Sequence, residues 1–194
     1  MRPIIVPMLF IALVACSDTP TEFVSPLVVS GPEMLAKTEG HRNHTTQLTG
    51  AEEVPPRETP AHGNAVYQIA GDGNSVSYRV IVSNITNVVA AHIHIGPVGA
   101  NGPVAVWLYP STSPGNAPAG GGAIQGVIVS GTFSAADLTD AMGAWDGTWE
   151  SLLAAIRSGG AYTNVHTNDG DDTPNEGPGD FPGGEVRGQF KGSN

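Results

Sequence analysis

His92 and His94 are separated by one residue in the segment "AHIHI", and a further histidine, His166, lies in "AYTNVHT". In a β-strand, residues i and i+2 project from the same face. The first pair therefore forms a two-nitrogen clamp of the kind that suits Zn²⁺ or Cu²⁺. His166 supplies a third nitrogen if its strand lies alongside, and His62 is a weaker candidate. The same rings have a second use. A polar ring in a half-buried sheet must find hydrogen-bond partners, and backbone carbonyls are plentiful there. The sequence leaves two readings open: a metal centre for copper or zinc, or histidines that pin the neighbouring glycine loop with no cofactor at all.

Other side chains offer less. The loop 168–180 contains Asp169, Asp171 and Asp180 at spacings that loosely resemble a calcium-binding loop of hard oxygen ligands. Pro174, however, stands where such a loop needs glycine, and a solvated acidic insertion is the plainer expectation. Glu185 and Arg187 share a strand face and are expected to form an exposed pair worth about 0–1 kcal/mol. Glu52 and Glu53 are adjacent, so in a strand they point to opposite faces and make a poor acid–base pair. There is no Gly-x-Ser-x-Gly elbow and no His-Glu-x-x-His. No catalysis is expected.

The elements that must position these residues are mostly strands. "NAVYQIAGDGNSVSYRVIVSNI" reads as a hairpin: Ala65, Tyr67 and Ile69 alternate before the Gly-Asp-Gly-Asn break, and Val76, Tyr78, Val80 and Val82 alternate after it, with Ser77 and Arg79 facing out. "AHIHI" and "VAVWLY" give two strands joined by Gly96, Gly99 and Gly102, a spacing that fits a tight connection rather than collagen or a dinucleotide loop. A helix is predicted in "TWESLLAAIRSGG", capped by Thr148 and stopped at Gly159. A shorter one is predicted over 135–142, capped by Ser134. Many short strands without βαβ alternation argue for an all-β, Greek-key-like β-sandwich or barrel with one or two short helical connections.

The N-terminus carries a different chemistry. One basic residue, Arg2, precedes an apolar run over 3–15 that is shorter than the roughly 20 residues of a membrane-spanning helix and has the length of a secretory signal core. It ends in Leu13-Val14-Ala15-Cys16, which resembles the lipobox of bacterial lipoproteins. That resemblance implies cleavage before Cys16 and acylation of its thiol. Cys16 is the single cysteine in the chain, so a thioether to lipid accounts for a thiol with no intrachain partner. Ser17 after it is compatible with sorting to the outer membrane of a Gram-negative bacterium. The expected organisation is a signal peptide over 1–15, a flexible tether over 16–44 and one β-domain over 45–191. Loss of Arg2 with the signal takes the formal net charge from −10 to about −11. Such a chain lacks the basic footprint that nucleic acid requires, and its hold on a membrane must come from the acyl chains.

Four segments in order, "LTGAEEVPP", "AHIHIGPVGANGPVAVWLY", "GTFSAADLT" and "AYTNVHT…GGEVRGQF", resemble the CHRD domain, named after chordin and common in bacterial surface proteins. The segment between "NVHT" and "GGEVRGQ" is longer here than in other members. The resemblance implies a β-domain and an extracytoplasmic setting but no catalytic mechanism. The expected function is that of a membrane-tethered binding or structural module meeting a protein or glycan partner. An envelope metal-binding protein or metalloenzyme built on His92, His94 and His166 is the alternative.

Overall fold

The structure is a computed structural model and describes residues 43–110, 117–140, 145–171 and 177–192. Cys16, the expected signal segment and all but the last two residues of the expected tether lie outside these.

Eight strands form one antiparallel sheet in the order β5-β4-β7-β8-β1-β2-β3-β6. They are β1 (Asn43–Thr49), β2 (His62–Ile69), β3 (Ser75–Thr86), β4 (Val88–Ile95), β5 (Val104–Tyr109), β6 (Ala123–Ser134), β7 (Ala161–Thr167) and β8 (Val186–Gln189). The terminal strands β5 and β6 lie against each other, and Val106 bridges Leu138 just past β6. The sheet thus curls into a nearly closed barrel, which is one of the two all-β forms expected. Closure removes most of the exposed edge that an open sheet would present.

The alternation read from the sequence produces this shape. β2 buries every second residue, and β3 pairs with it from His62 opposite Ser83 to Ile69 opposite Val76. Tyr67, Ile69, Val80 and Val82 enter the core, while Ser77 and Arg79 stay exposed. The α-helix among the described residues, α1 (Trp149–Ser158), begins at Thr148, whose hydroxyl accepts from Ser151 N, and ends at Gly159 with φ +81. A left-handed C-cap of this kind favours glycine. Leu152 and Ile156 of α1 are fully buried in the core, and the Trp149 indole donates to the Gly73 carbonyl at 2.7 Å, fastening the helix to the β2–β3 turn.

Two local expectations are corrected. Of the shorter helix predicted over 135–142, residues 141 and 142 lie outside the described ones, and 135–140 hold a single 3-10 turn, Ala135–Asp137, with Ser134 and Asp137 forming a reciprocal capping box. Leu138 leaves the turn to bridge β5 instead. Glu185 and Arg187 are not a surface pair: they are 0 % and 1 % exposed. The Glu185 carboxylate accepts from Thr59 Oγ1, Thr167 Oγ1 and Gly179 N at 2.5, 2.6 and 2.9 Å. Arg187 turns away to other partners, described below. Strand alternation alone predicted their shared face; it carried no information about the loops that cover that face.

Candidate metal centre on the outer face of the barrel

β7 lies beside β4, with Ala90 opposite His166, His92 opposite Asn164 and His94 opposite Tyr162. On the other side of β4, His92 stands opposite Trp107 of β5. This register gathers Tyr162, Asn164 and His166, at alternate positions of β7, onto the same face as His92 and His94. Ile93 points the other way and is fully buried in the core. The face opposite the core is ordinarily solvated, yet His92 and His94 are only 6 % and 8 % exposed. Loops cover them.

The β4–β5 loop provides much of that cover. Gly99 has φ +76. A Cβ on Gly102 would sit 1.7 Å from the Ile95 carbonyl oxygen, so only glycine fits there. The tight turn brings the Gly102 carbonyl to His94, whose Nδ1–H donates to it at 2.8 Å. Arg187 braces the loop from β8. It donates to the carbonyls of Pro97 and Ala100 at 3.1 and 3.0 Å, and to the side chains of Gln189 and Asn101. Its guanidinium lies 3.4 Å from the Tyr162 ring centroid, and the Tyr162 ring stacks on His94 with centroids 4.8 Å apart and planes at 7°.

The three imidazoles converge. Each can offer a nitrogen such that all three lie within 4.8 Å of one another, the one such group of His, Cys, Asp or Glu among the described residues. His92 Nδ1 is 3.1 Å from His166 Nε2. Nitrogens bound to one zinc at about 2.0–2.1 Å stand about 3.3 Å apart in a tetrahedron, so this pair is already at ligand spacing. His166 Nδ1–H donates to the Pro182 carbonyl at 2.8 Å. A carbonyl on Nδ1 fixes the proton there and leaves the Nε2 lone pair for a metal, which is how outer hydrogen bonds orient metal-ligating histidines. Both His94 and His166 have the carbonyl on Nδ1, but His166 Nε2 is itself within hydrogen-bond distance of His92 Nδ1 and Asn164 Oδ1, contacts that an ion would displace. Nε2 of His92 and Nε2 of His94 are buried without a hydrogen-bond partner, although the Asn164 carboxamide is close enough to favour the protonated form of His94. That same carboxamide lies 3.0 Å from His166 Nε2. Unpaired buried ring nitrogens are costly; an ion would satisfy that of His94, and that of His92 only if His92 ligates through Nε2 instead of the Nδ1 that faces His166.

Electrostatics keep the rings neutral, as metal ligation requires. Burial, helped by the neighbouring histidines, pushes His92 down to about 2. Burial also lowers His94, to about 4, against the opposing pull of the Gly102 carbonyl. His166 is lowered by burial, in part offset by its bond to Pro182. Trp107, half-buried, sets its ring against His92 at 4.1 Å between centroids.

The remaining candidates lie elsewhere. His62 is exposed at the start of β2, with Nδ1 at 3.0 Å from the Pro60 carbonyl. Asp169 and Asp171 are exposed, and the Asp169 carboxylate accepts from Asp171 N. Asp180 is buried at a turn where its N–H donates to Gly177 O. Residues 172–176 between them are outside the described residues. Sequence reasoning missed Tyr162, Asn164, Trp107 and the Pro182 carbonyl. The alternation of Tyr162, Asn164 and His166 could have found two of them.

A nearly closed antiparallel barrel carrying a covered three-imidazole cluster on its outer face defines a β-barrel binding or structural module. The family model for the CHRD domain matches residues 44–174, and the chain belongs to that family. The match ends inside the acidic loop, ahead of "GGEVRGQF", yet the structure pairs that segment as β8 between β7 and β1. No curated protein and no solved structure matches the chain.

Proposed function

We propose that this chain is a cell-envelope protein, lipid-anchored through Cys16, whose CHRD domain is a binding module that takes one transition-metal ion, copper or zinc, on His92, His94 and His166. The observation that supports the metal is the convergence of three neutral imidazoles, two of them with Nδ1–H tied to a carbonyl. Histidines that only pinned a loop would have no need to meet one another. The ligand set is all-imidazole, which suits copper and zinc better than the hard cations magnesium and calcium. The anchor rests on the lipobox residues and the single cysteine. The tether and loops would present the barrel to a protein or glycan partner outside the cytoplasm, in the outer membrane of a Gram-negative cell.

Electron paramagnetic resonance of the Cu²⁺-loaded protein tests the centre. The expected spectrum carries hyperfine coupling to three imidazole nitrogens, reduced to two in His166→Ala. A spectrum unchanged by that substitution contradicts the assignment. For the anchor, Cys16→Ser should release the protein into the soluble fraction, and a membrane-bound mutant still carrying labelled fatty acid would overturn it.

A further inference from the structure

Asn164 stands beside two of the metal-facing nitrogens and, through its oxygen, cannot hydrogen-bond to either. It lies on β7, opposite His92 of β4 and two residues before His166, so that it shares their face. It is buried, at 3 % exposure. Its Oδ1 lies 3.0 Å from His166 Nε2, and the same carboxamide is close enough to His94 to act on that ring.

Both rings place their proton elsewhere. A carbonyl oxygen only accepts. Nδ1 of His166 therefore carries its hydrogen toward Pro182, and Nδ1 of His94 carries its hydrogen toward Gly102. A neutral imidazole has one N–H, and burial favours the neutral form of both rings. Each Nε2 thus presents a lone pair, and so does the Asn164 oxygen. His92 can donate from Nδ1 to the His166 lone pair, but the Asn164 oxygen has no proton to give. Acceptors that face one another in a buried site are unfavourable, because no water is there to bridge them. One cation resolves the conflict. Donors bonded to the same tetrahedral ion stand about 3.3 Å apart, close to the 3.0 Å between Asn164 Oδ1 and His166 Nε2 and the 3.1 Å between His92 Nδ1 and that same Nε2.

We propose that Asn164 is the fourth ligand of the metal centre, its carboxamide oxygen joining one nitrogen each from His92, His94 and His166. The inference rests on the centre proposed above and narrows what that centre does. Four protein donors fill the coordination of a tetrahedral ion, as in structural zinc sites, whereas catalytic zinc sites keep one position open for water or substrate. An amide oxygen is also a harder donor than imidazole and favours a divalent ion over Cu⁺. The centre holds Zn²⁺ or Cu²⁺ without presenting it to a substrate.

Calorimetric titration of the purified, metal-free full-length protein with Zn²⁺ tests this, beside Asn164→Ala and Asn164→Asp, each first checked for the circular dichroism spectrum of the wild type. Asn164→Ala should weaken binding at least about 10–100-fold, the cost of losing even an outer-shell contact. Asn164→Asp keeps an oxygen in place and should bind no more weakly than wild type. A carboxamide that held the rings through its nitrogen would compete with the ion, so its removal would tighten binding instead. Wild-type binding of one ion with equal or tighter binding by Asn164→Ala would overturn the role of Asn164 and leave the three-histidine centre standing. Weaker binding by Asn164→Asp would overturn it too, and decides the matter alone if Asn164→Ala does not fold. Failure of the wild type to bind Zn²⁺ would remove the centre and its fourth ligand together.

Discussion

Strand β4 has two sides with opposite chemistry. On the inner side, Ile93 is fully buried among Leu108, Val165 and the other core residues of the barrel. On the outer side, His92 and His94 are nearly as well buried, but among Tyr162, His166, Trp107 and loop carbonyls. Burial stabilises the first side directly, at about 25 cal/mol per Å² of apolar surface. On the second side burial is costly, because every polar group removed from water needs a partner. Most have one. Arg187 and Glu185 show how thoroughly the outer layer can be satisfied, each with several hydrogen bonds. Against that background, the unpaired Nε2 atoms of His92 and His94 stand out. Thr46 Oγ1, Glu53 Oε1, Arg57 Nε and Asp180 Oδ1 are also buried without a partner, but among the described residues it is at His92 and His94 that two such atoms belong to rings that meet a third imidazole.

The two sides should respond differently to substitution. Arg187→Met should have the largest effect, destabilising by about 4 kcal/mol in urea titrations, because it strands the Pro97 and Ala100 carbonyls and the Gln189 side chain. It should also lower metal affinity about 10–100-fold, the usual cost of disturbing outer-shell contacts, since the loop it braces carries the Gly102 carbonyl. Leu152→Ala, on the inner side, should cost about 3 kcal/mol with metal affinity unchanged. If both variants lower stability and affinity in proportion, the two regions are one unit and the distinction fails.

The core was legible in the sequence, while the covered outer layer was not. Alternation in "NAVYQIA" and "SVSYRVIV" marked the residues that fill the barrel, and Thr148 and Gly159 marked the helix ends, because both signals are local. His92 and His94 were legible as a pair for the same reason. Their meeting with His166 depends on β7 pairing beside β4, which is a long-range fact. The burial of Glu185 and Arg187 depends on loops from distant parts of the chain, so periodicity read them as exposed. Glu53 was misjudged likewise: it follows a 3-10 turn, Gly50–Glu52, rather than lying in a strand.

Acid should separate the regions next. His92 and His94 have folded values, about 2 and about 4, below the ordinary 6.5. Between those values and 6.5 the unfolded chain binds protons that the native rings refuse. Stability is therefore full above pH 6.5 and falls as pH drops through that window, by up to about 1.4 kcal/mol per pH unit per histidine. His94→Gln should flatten the slope of urea midpoint against pH between 6.5 and 4. An identical slope would mean that the ring is not held neutral.

The smallest effect belongs to Glu53, where the sign reverses. Burial outweighs the attraction of Arg187 and Arg57 and raises its carboxyl from 4.5 to about 7. The native state then holds a proton that the unfolded chain has lost, so Glu53 lowers stability most above pH 7 and the cost fades as pH falls toward 4.5. Glu53→Gln should be more stable than wild type at pH 8, by about 1–3 kcal/mol, and close to it at pH 4.5. A constant difference across that range would contradict the assignment.

The most direct test of the metal centre is calorimetric titration of metal-free protein with Cu²⁺ and with Zn²⁺, beside the His92→Ala/His166→Ala variant. The account predicts one ion per chain, a rise in melting temperature on loading, and loss of both in the variant. No stoichiometric binding of either ion by the wild-type protein, or equal binding by the variant, would contradict it.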